Sequence, residues 1–303
     1  MKRGTTLSFD PSRIVESLYR PFVRRWTYFA PVVTHRPYQN FAFFPRQRSD
    51  NVGFSFAVEE RSEFGVIATD RLPNKDMFIP SAAQVVCRWR YGKNGEREDN
   101  ITNWALEQFR KNYQPGRGKK GRPITQDAIF QYVYGVLHDP VYREKYALNL
   151  KREFPRIPFY NDFWQWADWG KELMDLHIGY ESVTPAKLKR IDVPDEKARK
   201  AGLAPKCLLK AAKDDGRIII DSETTLTGLP SEAWDYRLGN RSALEWILDQ
   251  YKEKKPKDPT IREKFNTYRF ADYKEKVIDL LMRVTTVSVM TVAVVNAMRR
   301  AAR

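Results

Sequence analysis

Arg237, Gly239, Asn240, Arg241 and Ser242 sit together in the string WDYRLGNRSALEWILDQY, residues 234–251. Ser242 and Glu245 stand in the S-x-x-E capping-box relation. The serine hydroxyl can accept from the backbone of the third helical residue while the glutamate reaches back, so a helix is expected from about Ala243. A helix N-terminus presents unsatisfied backbone N–H groups and a partial positive charge. With Arg237 and Arg241 on either side of Gly239 and Asn240, the chemistry open to this turn is to hold an anion, such as one phosphate of a nucleic-acid backbone. The same residues also fit a plain capped helix whose arginines pair with nearby carboxylates.

Other cationic groups repeat the theme. GRGKKG, residues 116–121, matches G-x-G-x-x-G formally, but it follows Pro115 and a polar helix end where a dinucleotide site needs a buried strand. Arg117, Lys119, Lys120 and Arg122 on that glycine scaffold read instead as a loop able to follow a phosphate backbone or enter a groove; the alternative is a solvated charged loop. Arg20, Arg24, Arg25, Arg36, Arg46 and Arg48 interleave with Tyr19, Trp26, Tyr28, Tyr38 and Phe44. Arginine can grip guanine edges as well as phosphates, whereas the aromatics read as core. Lys206, Lys210, Lys213 and Arg217 form a third group. Asn266 and Arg269 form a fourth, asparagine being able to read adenine with two hydrogen bonds.

Composition points the same way. The chain has 53 Lys plus Arg against 38 Asp plus Glu, a formal net charge of +15 and a pI near 9.7. That balance favours a polyanionic partner, whose condensed counterions each cation releases. Aromatic content of 13% supplies a real core and excludes a disordered basic tail. Cys87 and Cys207 lie outside any CxxC or Cys/His ligand spacing, so a zinc site is not expected, and their sparseness suits a reducing cytoplasm. MKRGTTLSFD lacks the apolar core of a signal peptide. The most apolar run, residues 284–298, is broken by Thr285, Thr286, Ser288, Thr291 and Asn296 and is shorter than the roughly 20 residues of a bilayer span. It reads as a buried helix, and no membrane partner is expected.

Catalytic patterns are weak. His35, His138 and His177 are separated in sequence from each other and from the cysteines, and His138 beside Asp139 reads as a helix-terminal residue favoured by the dipole. Pro194 and Asp195 with Glu253 and Lys255 can be forced into a nuclease-like PD…ExK pattern, but in a chain this rich in Lys and Glu the match is nearly free. Asp214, Asp215, Asp221 and Glu223 could hold a divalent ion; flanking a short hairpin, they equally serve to solubilise a turn.

The elements that must position these groups follow from periodicity. Asp10 and Pro11 open a short helix expected to end near Tyr19. Strands follow around residues 26–29, 54–58, 64–69 and 84–91. Helices are expected over residues 101–113, after Thr125, from Asp139 and Pro140 through Phe154, and from Phe163 to His177. Residues 217–221 and 224–226 read as strands, the capped helix comes next, and a long helix runs from about Ala271. The expected class is α+β, with a strand-rich part over residues 1–95 and a larger, mainly helical part over 96–303 that carries a small mixed insertion near 215–236.

Longer strings resemble a known family. YRPF (19–22) and RPYQ (36–39) are similar to the segment just beyond the adenine-methyltransferase domain of large single-chain restriction and modification enzymes. ITQDAIFQYVYGVLHDPVYREKYALNLKREFPRIPF (124–159), LGNRSALEWILDQY (238–251) and KDPTIREKFNTYRFADY (257–273) resemble the C-terminal specificity domain of type ISP restriction-modification enzymes. The resemblance implies sequence-specific binding of double-stranded DNA that positions a target adenine for an N6-methyltransferase, with translocase and nuclease on other domains. It implies S-adenosylmethionine, ATP and Mg for those domains only, none for this chain. The sequence contains no NPPY methylation motif and no GxxxxGK[ST] phosphate loop, which departs from the full family pattern and implies a separate subunit, a split gene product or a truncated piece. A metal-dependent nuclease and an RNA-binding or protein-interaction scaffold are the readings that compete with it.

Overall fold

The computed structural model describes residues 8–34, 38–45, 50–58, 63–78, 83–113, 122–254, 256–265 and 267–303. Asp10 caps a 3-10 turn over Pro11–Arg13, its side chain accepting from Ser12 N. The helix expected to continue to Tyr19 is instead strand β1 (Ile14–Arg20), paired antiparallel with β2 (Val23–Tyr28). Val15 and Ser17 are buried between half-buried neighbours, the period-two pattern of a strand, and it overrides the helix-start signal at Asp10 and Pro11. Phe22, fully buried at φ 60°, makes the turn between the two strands.

A single helical turn, α1 (Asn40–Phe43), leads to β3 (Gly53–Ala57), which pairs antiparallel with β4 (Val66–Thr69). The short β5 (Leu72–Pro73) joins β1 in parallel, and β6 (Ala83–Cys87) closes the other side of β3. The strand expected over residues 84–91 breaks at Arg88. Beyond it β7 (Trp89–Tyr91) and β8 (Arg97–Asp99) form their own two-stranded ribbon. Arg88 is buried and its guanidinium is paired with Asp99 and with Asp127 at 2.5 Å each. A buried cation needs such partners, and Arg88 meets them at the break between β6 and β7.

Helices follow close to the expected positions, among them α2 (Asn103–Asn112), capped by Thr102, and α3 (Gln126–Val136), capped by Thr125. The helix expected from Pro140 through Phe154 is divided into α4 (Pro140–Lys145) and α5 (Ala147–Leu150), and the chain is extended from there to α6 (Phe163–Ile178). Phe54, Phe56 and Val66 share one apolar cluster with Ile129, Phe130, Tyr134, Trp166 and Leu173. Strands and helices therefore bury each other's apolar faces on either side of the compositional boundary at 95/96. By contacts the chain forms two compact units: Met1–Ile178 with Leu238–Asn240 and Ala293–Arg303, and Gly179–Arg237 with Arg241–Val292.

The second unit carries a larger sheet than the insertion expected near 215–236. Strand β9 (Lys189–Asp192), a short helix α7 (Glu196–Lys200), and strands β10 (Cys207–Ala212), β11 (Arg217–Asp221) and β12 (Thr224–Thr227) give an antiparallel sheet in the order β10-β11-β12-β9. Short strands β13 (Arg237–Leu238) and β14 (Arg241–Ser242) bracket Gly239 and Asn240, followed by α8 (Ala243–Tyr251) and α9 (Lys274–Arg299). Helix α9 is rich in β-branched residues, yet Thr285 and Ser288 donate back to the carbonyls of Leu281 and Val284, so their hydroxyls are satisfied inside the helix. By length and composition the stretch Phe270–Arg299, which includes α9, could cross a membrane, but 56% of its most apolar window is buried inside the protein, as for a helix packed in a protein core. Helix and strand together establish an α+β chain.

Candidate nucleic-acid interface

The sequence places the start of α8 correctly. Both halves of the capping box form: Glu245 N donates to Ser242 Oγ at 3.3 Å and Ser242 N donates to Glu245 Oε2 at 2.8 Å. Ala243 N donates to Tyr236 O at 2.9 Å. Three donors of the expected anion seat are thus already taken by the protein's own acceptors, so the backbone contribution to phosphate binding is smaller than the bare motif implies. Burial pushes the Glu245 carboxyl pKa up, but hydrogen bonds from Lys213 and Ser242 outweigh it and hold the pKa below the usual value. Lys213 also pairs with it at 2.7 Å.

Arg241 pairs with Asp249 at 3.0 Å and lies over the Trp246 ring at 5.0 Å. Its guanidinium is fixed in place, half-exposed, with donors left over, since guanidinium carries five N–H groups. Arg237 is exposed. Asn240 sits with the first unit, where its Oδ1 accepts from Glu63 N at 3.0 Å. Gly65 comes so close to this turn that a Cβ there would meet Gly239 N at 2.5 Å.

The remaining sequence-derived residues are scattered. Arg24 lies 3.9 Å from Glu16 and donates to Ile178 O at 3.4 Å, while Arg25 beside it is exposed. Arg122 pairs with Asp168 at 2.6 Å and stacks at 3.8 Å on Trp164. Arg269 donates to Tyr268 O at 2.9 Å. Arg36, Arg117, Lys119, Lys120 and Asn266 lie outside the described residues. Of the interleaved aromatics, Phe44 is buried as expected, but Trp26 is 66% and Tyr38 76% exposed. Trp26 lies on β2, at the edge of its sheet, so the core reading of these two fails.

The histidines separated in sequence meet in space, with the His138 and His177 rings 5.4 Å apart. Tyr134 Oη accepts from Ala68 N at 2.7 Å and donates to His177 Nδ1 at 2.7 Å. Burial, then the nearby Arg143 charge, drives the His177 pKa down to about 3; the same causes, with His177, push His138 well below its usual value. Both are core residues whose burial disfavours the charged ring; His138 does lie just beyond the end of α3, as expected, but it is buried there with Nδ1 bonded to Tyr134 O at 2.9 Å, so the dipole is not what holds it. Of the acidic group, Asp221 is buried, accepts from Glu223 N and Thr224 N, and pairs with Lys274 at 2.7 Å. Glu223 pairs with Arg199 at 2.9 Å. Their carboxylates are spent on a turn and on ion pairs, the structural reading of that cluster. Among the described residues no group of three His, Cys, Asp or Glu is placed to hold a metal ion.

Two exposed features escaped the sequence reading. The ribbon β7–β8 turns through Gly92, Lys93, Asn94 and Gly95, with Gly95 at φ 85°, and presents Arg90 and Lys93 to solvent. Its base is fixed by Arg88 and Arg97, both over the Trp89 ring, and by the Arg97–Asp50 pair at 2.9 Å. The Gly-Lys-Asn-Gly string is the turn signal that identifies it. The second is the extended segment after α5, for which tyrosine hydroxyls replace secondary structure. Tyr142 Oη donates to Arg156 O at 2.9 Å, Tyr132 Oη to Pro158 O at 2.7 Å, and Tyr113 Oη to Tyr160 O at 2.7 Å. No local pattern announces this, because the tyrosines come from α4, α3 and the end of α2.

A family model described as the type ISP C-terminal specificity domain matches residues 1–280. Among solved structures, a chain in the cryoEM structure of the DrdV–DNA complex is similar at 49% identity and a TM-score of 0.90, over 98% of this chain and 29% of that one. A nuclease-deletion mutant of the type ISP restriction-modification enzyme LlaGI, in complex with a DNA substrate mimic, is similar at 25% identity and a TM-score of 0.75, over 98% of this chain and 26% of that one. The ATP-dependent type ISP restriction-modification enzyme LlaBIII bound to DNA shares the fold, at 24% identity and a TM-score of 0.80, over 100% of this chain and 19% of that one. This chain therefore spans less than a third of each solved chain. No curated protein matches it.

Proposed function

Because the chain belongs to the type ISP C-terminal specificity domain family, we propose that it is the DNA target-recognition part of a type ISP restriction-modification system. The observation that carries this reading is the likeness, over 98% of the chain and at 49% identity, to part of a protein solved on DNA. The net charge of +15 supports it. Basic groups capture the duplex through its phosphates, and side chains carried on loops and turns of a rigid body read base edges in the grooves. Arg237, Arg241, Arg25, Arg122 and Arg269 are the described candidates for phosphate contact; Arg241, Arg122 and Arg269, like Arg24 and Asn240, are in part committed to the protein itself.

Adenine-N6 methylation, translocation and cleavage, with S-adenosylmethionine, ATP and Mg, belong in this reading to other domains of the system, working in the cytoplasm. Selection of the 303-residue chain against a random duplex pool tests it. Enrichment of one sequence, which then outcompetes random duplex and structured RNA at moderate salt, is the expected result. Equal competition by all three nucleic acids overturns it.

A further inference from the structure

Beside the tyrosine-pinned segment lies a pocket of about 380 Å3, bordered by Tyr142, Tyr146, Asn149, Phe154, Pro155 and Arg156. That is at the small end of ligand sites, which run roughly 300–1,000 Å3. Its lining has the two parts a nucleotide needs. The apolar part is aromatic and proline: the Tyr142 and Tyr146 rings lie 5.1 Å apart, and Phe154 is 60% exposed although the chain either side of it is fixed. The polar part is an amide at Asn149 and the Arg156–Glu153 pair at 3.0 Å, which together offer donors and acceptors to a base edge. Arg156, 89% exposed at its side chain, is the cation on the pocket's lining, and the exposed Lys145 and Arg152 lie near it in sequence.

The wall is held from behind: Phe154 packs edge-on against buried Phe56 at 5.7 Å and Tyr146 against buried Tyr142, and the chain beyond Phe154 is pinned. Arg156 and Pro158 are held by their carbonyls to Tyr142 and Tyr132, and Tyr160 N donates to Tyr132 Oη at 2.8 Å. A fixed aromatic surface gives up little conformational freedom when a ring stacks on it.

We propose that this pocket receives one unpaired nucleobase of the bound DNA, stacked on the aromatic wall of Tyr146 and Phe154 with its edge towards Asn149 and the Arg156–Glu153 pair. This rests on the DNA-binding reading above and adds a site that accepts a base outside the duplex stack, where the other candidate residues meet the backbone and base edges of the paired duplex. No covalent step is involved.

The test compares the 303-residue chain on a paired duplex and on the same duplex carrying one extra, unpaired adenine, by fluorescence anisotropy. The unpaired base should tighten binding about tenfold, in the range that one stacking aromatic supplies. F154A and Y146A should abolish that gain while leaving affinity for the paired duplex unchanged; because Phe154 also packs on Phe56 at 5.7 Å, F154L, which keeps an apolar contact there but no stacking ring, should lose the gain as well. Equal affinity of the wild-type chain for both duplexes overturns the pocket assignment and leaves DNA binding standing; it is the result expected if a protein partner's side chain fills the pocket instead. A gain that survives F154A and Y146A also overturns it. Binding to neither duplex overturns both readings.

Discussion

Gly135 of α3 and Gly170 of α6 face each other across the helix crossing: a Cβ at Gly135 would lie 3.4 Å from the Cα of Gly170 and closer still to Trp166 O. A Cβ at Gly170 would run into the Gln131 carbonyl and come within 2.8 Å of Gly135 N. Backbone cannot yield as a flexible side chain can, so the two helices would have to separate. G170A is expected to destabilise the chain by about 3 kcal/mol, and G135A by somewhat less, read as a shift in urea midpoint. A G170A midpoint equal to wild type would mean that this crossing is looser than its geometry.

Asp139, fully buried, accepts from Arg303 Nε at 2.8 Å and from Tyr160 Oη at 2.7 Å. Burial raises its pKa, but those bonds together with Val141 N hold it below the usual carboxylate value. Removing the cation strands a buried charge, so R303A should cost about 3 kcal/mol. The double variant D139N/R303A should recover part of that loss, because an amide carries no unpaired charge. Thermal or chemical denaturation of the two variants decides it.

His177 sets an acid limit. Its folded pKa of about 3 lies below the unfolded value near 6.5, so the unfolded chain binds the extra proton first as pH falls. The stability it contributes is fully present above about pH 6.5 and declines as the pH drops towards 3. Between pH 7 and pH 5 this group alone should cost about 2 kcal/mol, and His138 adds in the same direction. Urea titrations at pH 7, 6 and 5 check this; a flat profile would mean that the His177 ring is not held neutral.

Arg241 separates the two readings of the α8 start. Its pair with Asp249 is half-exposed, so R241A should change stability by no more than about 1 kcal/mol. If Arg241 also holds a phosphate, R241A should weaken DNA binding across sequences and reduce the slope of log affinity against log salt by about 0.9. An unchanged slope restricts Arg241 to its intramolecular pair.

Arg117, Lys119 and Lys120 fall outside the described residues, and their role remains a proposal from the sequence. Replacing all three by alanine should lower the salt slope by up to about 3 and weaken random and specific duplexes alike. Loss of specificity with the slope intact would instead place the loop against base edges.

The sequence by itself determined what is local or what is carried by long ordered strings. The capping box at Ser242 and Glu245, the helix starts at Thr125 and Asp139, the positions of α3, α6 and α8, the α+β class and the family all follow from it. Each depends on neighbours within a turn or two, or on a string too long to match by chance. The tertiary structure decided the partners. Asn240 meets Glu63 across 177 residues of sequence, and Asp139 meets Arg303 across 164. Nothing local to Asp10 and Pro11 announces that Ile14–Arg20 will pair as a strand, and nothing local to Trp26 says that its ring stays outside the core. Hydrogen-bonding and burial preferences belong to a residue type, whereas the group that satisfies them is supplied by whichever distant segment the folded chain brings alongside.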